Sequence, residues 1–267
     1  MALTKEHRSR VTETIKTCLR YKFQDYRPET DNMPFHYRLL GKDRMALFSF
    51  LQSLNTTFGT SIYEPVAKEL AKPIFKETHT QYKLGNIITQ GAQNEIQKIM
   101  NDLSVGGEVN KIDETEKLRK AARAGRENKL KSVKVDLFLV SKNDEVFMFD
   151  LKTVKPNKGD FISYKRNMLE WLALYFYRNQ TAKVKTFIAI PYNPYEPKPY
   201  ARWTMKGMLD LKEEVKVANE FWDFVGGQGA YADLLNCFEQ AGIELRPEID
   251  KYFAKFRNKS LSSARVD

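Results

Sequence analysis

Two β-rich runs on either side of a polar turn constrain this chain more than any other part of it. Val133, Val135, Leu137 and Leu139 alternate with Lys134, Asp136 and Phe138; after SKNDE comes the run VFMFDLKTV. Period-2 alternation across a polar break predicts a β-hairpin. In the second strand Asp150 and Lys152 are two apart and share a face, whereas Met148 and Leu151 lie on opposite faces. With Asp136 beside them on the paired strand, two carboxylates and one ammonium converge within 133–158.

The elements around the hairpin fix the fold class. FISYKRNMLEWLALYFYRN has helical spacing through Met168, Leu169, Leu172, Ala173, Phe176 and Tyr177, and VKTFIAIPY reads as a buried strand. Strand, helix, strand after a hairpin implies a parallel, right-handed crossover. The expected architecture is therefore α/β, a mixed central β-sheet flanked by helices. Upstream, helical spacing covers 3–24, 44–54 and 90–103, and GTSIYEPVAKEL is expected to open a further helix carrying Glu64. Downstream, 228–257 reads as two helices split near Arg246-Pro247, and Phe221, Trp222 and Phe224 fit a core better than a base-stacking platform. The chain reads as a single domain over 1–267, mainly helical at 1–110, with the α/β core at 131–225, a helical part at 228–257 and a frayed polar tail.

Charge narrows the partner. The formal net charge is +10 and the isoelectric point near 9.3, which favours a polyanion, nucleic acid before an anionic membrane surface. No apolar run approaches the ~20 residues of a spanning helix. The stretch 114–134 has eight Lys/Arg against three Glu and leads into the Asp136 strand, so its Arg123 and Arg126 fit a track along a DNA backbone as well as a solvated face. Between 151 and 206 eleven Lys/Arg stand against three Asp/Glu. Lys155, Lys158, Lys165, Arg166, Lys198, Arg202 and Lys206 are candidate DNA contacts, by phosphate neutralisation or, for Arg202, Lys198 and Asn193, by reading base edges. Solvated or phosphate-binding roles for those three stand beside base reading. Cys18 and Cys237 form no metal spacing or disulfide framework, His7, His36 and His79 are far apart, and the start has no apolar leader, so a cytoplasmic protein is expected.

Two carboxylates with neighbouring backbone oxygens suit Mg²⁺, a hard cation that keeps several waters. A lysine beside that ion can orient a water and balance charge on a phosphate. Glu64 by itself fits a first-turn residue favoured by the helix dipole.

Asp136 with Asp150-Leu151-Lys152 resembles the PD-(D/E)xK nuclease signature, with Val135 in the proline position. The series GTSIYEP, VKVDLFLV, VFMFDLKTVKPNKGDF, KRNMLEWLALYF, AIPYNPYEPKPYARWT and NEFWDFVGG is similar to type II restriction endonucleases, most to the TdeIII-like family, over about two-thirds of the chain. The resemblance implies a homodimer that cuts both strands of double-stranded DNA at a short palindromic site, GGNCC-like in members of this type, leaving 5′-phosphates. It also implies Mg²⁺, with Mn²⁺ as a replacement, and a cognate methyltransferase in a prokaryotic host. By the same resemblance Asp136 and Asp150 become metal ligands, Glu64 on the helix before the hairpin a third acid and metal ligand with Glu95 of the 90–103 helix in reserve, and Lys152 the residue that positions or activates water. A structure-selective repair nuclease or resolvase on the same scaffold, and a non-catalytic basic DNA-binding protein, are the alternative readings.

Overall fold

Five strands form one mixed sheet in the order β1 (Glu77–Thr89), β2 (Glu127–Val140), β3 (Val146–Leu151), β4 (Val184–Ile190) and β5 (Val215–Val217) in the computed structural model, which describes residues 3–26, 33–152, 160–200 and 205–257. β2 runs antiparallel to both its neighbours, β1 and β3; β3, β4 and β5 run parallel. The expected hairpin is β2–β3, with Leu137 opposite Phe149 and Val140 opposite Val146. β2 begins earlier than its apolar alternation, taking its first residues from the charged 114–134 stretch.

β1 was not expected. It lies within the segment read as mainly helical, which therefore supplies the first strand of the sheet. Only Leu84, Ile88 and Thr89 of its residues are buried, so ETHTQYKLGNIIT carries almost no apolar alternation. An edge strand paired on one side can remain polar in this way. Its register against β2 slips on either side of Gly85, whose φ is +127°. A Cβ at Gly85 would also stand 2.5 Å from the Arg178 guanidinium, the movable end of a long side chain, so it is the backbone that requires glycine there.

The helices begin with α1 (Lys5–Asp25), capped by the Thr4 hydroxyl accepting from His7 N–H, and α2 (Pro34–Leu40). Next, α3 (Lys42–Phe58) runs on through a π-turn at Gly59–Tyr63 into α4 (Glu64–Ala71). The helix expected to open at GTSIYEP is thus a continuation. The Glu64 N–H reaches back five residues to the Gly59 carbonyl. Pro65 has no N–H for an α-helical ladder, and the widened turn before it absorbs the mismatch. Helices α5 (Gln90–Ser104), α6 (Lys111–Ala121) and α7 (Asp160–Arg178) cover one face of the sheet, packing on Phe138, Met148 and Ile188. As expected, α7 joins the parallel strands β3 and β4. On the other face α1, α4, α8 (Asn219–Gly226) and α9 (Ala230–Arg257) pack on Leu137, Phe149 and Phe187.

Phe221 and Trp222 of α8 are fully within that second core, as the sequence suggests. The C-terminal segment differs from expectation: α9 is one helix with Pro247 inside it. Its two halves are held in line against α1, where Lys16 pairs with Glu244 and Arg20 with Glu248, one ion pair on each side of the proline. No helix among the described residues is long and apolar enough to cross a membrane.

Candidate active site

The acids of the hairpin meet at the end of β3. Continuing the β2–β3 register one step past Leu137–Phe149 sets Asp136 opposite Asp150. Asp136 Oδ2 accepts the Leu151 N–H at 2.9 Å, which fixes its carboxylate beside the strand end. Asp150 is buried, and Lys152 Nζ lies 2.7 Å from its Oδ1. The same ammonium stands 4.6 Å from the centre of the Tyr164 ring, a cation–π contact from α7. The first helical segment completes the cluster: beyond the π-turn Glu64 is buried, and the Gln81 side-chain amide donates to both its oxygens at 3.0 Å. That amide also donates to Asp136 Oδ1 at 3.3 Å.

Electrostatics follow from this crowding. Burial pushes the Glu64 carboxyl up to about 8; the Gln81 hydrogen bonds oppose the rise, and the charges of Asp136 and Asp150 add to it. Burial also raises the Asp150 carboxyl, against the pull of Lys152 and with a further push from Asp136. Burial, with help from Asp160 and Asp150, holds the Tyr164 phenol at about 12, so it is a neutral ring under the lysine.

Burial and crowding favour protons on Glu64 and Asp150, and a divalent cation could take the place of those protons. Among the described residues no three acidic, His or Cys side chains form a preassembled cation cage. A pair of hard oxygen donors fits Mg²⁺, which binds through one or two carboxylates and retains much of its hydration.

Glu64 therefore stands with Asp136 and Asp150. Glu95 does not: it lies half-buried on α5, where its charge acts on Lys117 of α6. Two residues beside the acids escaped the sequence reading. Tyr164 sits in a helix recognised for its apolar face alone, and Gln81 lies in the unrecognised β1. Had THTQY been read as a strand antiparallel to VKVDL, Gln81 would have fallen opposite Asp136.

The candidate DNA contacts divide. Lys165 is a correction: it is fully buried, with Nζ 2.5 Å from Glu114 and 2.9 Å from Glu214. Glu214 also pairs with buried Lys111 at 2.8 Å, and Lys111 donates to Thr186 of β4 at 2.7 Å. This network ties α6, α7 and the approach to β5 together. Lys165 follows the apolar face of α7, and a four-carbon stem hid that placement in a pattern scored by charge. Arg166 donates to Gln97 at 2.9 Å. Arg123 is exposed and donates to the Tyr177 and Arg178 carbonyls that end α7. Arg126, Lys198 and Lys206 are exposed. Both ends of the Asn193 amide are engaged inside its own loop, donating to the Lys198 carbonyl at 2.7 Å and accepting from Tyr195 N–H at 3.0 Å. Lys155, Lys158 and Arg202 lie outside the described residues.

Comparison with known proteins places the chain in a lineage. Residues 3–242 match the family model "Type II restriction endonuclease, HinfI". The chain is 27% identical over 227 residues to the type II restriction enzyme HgiCII of Herpetosiphon aurantiacus, covering 83% of this chain and 81% of that protein. It is 31% identical over 224 residues to the type II restriction enzyme MjaII of Methanocaldococcus jannaschii, covering 74% of this chain and 59% of that protein. HgiEI, also from Herpetosiphon aurantiacus, is 25% identical over 224 residues, covering 82% of this chain and 80% of its own. The resemblance to type II restriction endonucleases, though not its TdeIII-like detail, thus extends over most of the chain, which belongs to the HinfI family of those enzymes.

Proposed function

We propose that this chain hydrolyses phosphodiester bonds in both strands of double-stranded DNA at a short palindromic site, GGNCC-like by resemblance, in a reaction that requires Mg²⁺ or, in its place, Mn²⁺. The observation that carries this reading is the convergence of Asp136, Asp150 and Glu64 from three elements, with Lys152 2.7 Å from Asp150. Asp136 and Asp150 would hold the metal, with Glu64 at its side. Bound Mg²⁺ supplies Lewis acidity at the phosphate and a water of lowered pKa.

The side chains do the rest. Lys152, steered by Asp150 and the Tyr164 ring, presents an ammonium that orients the attacking water and balances charge on the phosphate. The water oxygen attacks phosphorus in line with the P–O3′ bond. That bond breaks, the 3′ oxygen takes up a proton, the proton lost by the water passes to solvent, and a 5′-phosphate remains. Arg126, Lys198 and Lys206 are exposed cations suited to phosphates. A palindrome is matched by two-fold symmetry, hence a homodimer, and an active enzyme needs a cognate methyltransferase to protect its host, a prokaryotic cytoplasm.

Plasmid DNA incubated with the protein and Mg²⁺ should give discrete fragments whose sequenced ends share one motif. EDTA should abolish them. Asp136→Asn and Asp150→Asn should bind DNA without cutting it. Cleavage persisting in both variants, or cutting confined to branched DNA without sequence preference, would overturn the proposal.

A further inference from the structure

We infer that Gln81 is a positioning residue of this site, whose amide braces Glu64 against Asp136 and sets the spacing of the two acids toward a divalent cation. The inference rests on the metal-dependent nuclease reading above. Its first support is geometric. Gln81 Nε2 is 3.0 Å from each oxygen of Glu64 and 3.3 Å from Asp136 Oδ1, so one NH₂ group links α4, β1 and β2. An ionised carboxylate only accepts, so the amide presents its nitrogen, not its oxygen, to the acids in their metal-binding form.

Backbone conformation gives the second support. Gln81 has φ +51°, the left-handed region, in a strand whose neighbours Thr80 and Tyr82 pair regularly with Leu137 and Val135 of β2. A glutamine rarely adopts that conformation, and glycine would adopt it freely. Retaining a long amide there makes sense if the amide is used. Its chemistry suits the place as well: a neutral donor tempers repulsion between two acids, whereas a lysine would compete with a cation and a glutamate would add a further repelling charge.

The test uses two substitutions on the full chain. Gln81→Met keeps the length and removes the donor; Gln81→Gly removes the side chain and relaxes the backbone, so loss of fold is not expected on conformational grounds. Two quantities are read: Mn²⁺ affinity of the protein by electron paramagnetic resonance, and the Mg²⁺ concentration giving half-maximal plasmid cleavage. Both variants should bind Mn²⁺ about tenfold more weakly, the scale of one hydrogen bond to a charged group. Both should also need about tenfold more Mg²⁺, with most of the cleavage rate recovered at saturation. Asp150→Asn runs alongside. If it cuts like the parent, the reading of the site fails. If it is inactive while both Gln81 variants keep the parent's Mn²⁺ affinity and Mg²⁺ dependence, the Gln81 proposal alone is overturned.

Discussion

In a Lys165→Met protein the stem of the side chain is kept and its ammonium lost, leaving Glu114 and Glu214 in a closed space with Lys111 as their remaining buried cation. Glu114 Oε1 already has no hydrogen-bond partner among the described residues, and without Lys165 its Oε2 would lose its ion pair as well. Breaking a buried ion pair from one side costs about 3–5 kcal/mol. Unfolding entropy of about 2.1 cal/mol/K per residue gives about 0.56 kcal/mol/K for 267 residues, so a loss of about 4 kcal/mol lowers the melting temperature by about 7 °C. Calorimetry and urea titration measure the loss; DNA binding as a function of salt, taken well below the melting temperature, should match the parent. Arg166→Met is the reference, expected within about 0.5 kcal/mol of the parent because its contact is a single hydrogen bond near the surface. A Lys165→Met protein that melts with the parent but binds DNA more weakly, with a shallower salt slope, would refute the burial argument and return Lys165 to the phosphate-facing side.

Other outcomes follow from the same coordinates. Burial raises the Glu214 carboxyl, but Lys111 and Lys165 outweigh it and hold it below the usual range. A depressed carboxyl contributes stability above its unfolded value, near 4.3, and loses it as pH falls through the folded value. The stability gap between the parent and Glu214→Gln should therefore narrow in urea titrations below about pH 4; a constant gap would contradict the pairing. Lys198→Ala and Lys206→Ala should each weaken binding evenly across DNA sequences and reduce the log–log salt slope by about one; an unchanged slope removes that residue from the DNA surface. Pro247→Ala restores an N–H within α9 and should raise stability, by up to about 3 kcal/mol, read as a higher urea midpoint. A lower midpoint would mean that α9 depends on the proline.

The hairpin, the crossover helix and the parallel strand were legible because each buries a regular apolar face, and periodicity records burial. The Asp150-Leu151-Lys152 spacing was legible for the related reason that strand parity fixes which side chains share a face. β1 was illegible because an edge strand needs no apolar alternation, and with it went Gln81. Lys165 was misread because a sequence reports that a lysine is charged but not whether two glutamates far along the chain enclose it. Pro247 was read as a break because local propensity disfavours it, whereas tertiary packing on α1 decides the outcome.

The π-turn at Gly59–Tyr63 makes the aim of Glu64 a matter of counting. Each helical residue turns the direction of its side chain by about 100°. Deleting one residue from GTSIY would leave two good helices yet swing that carboxylate off the sheet. The same turn would carry the buried face of α4, Val66 and Leu70, out of the core, so the lesion would lower the melting temperature as well as impair ion binding and DNA cleavage. Length variation among relatives should accordingly be sparse in this segment.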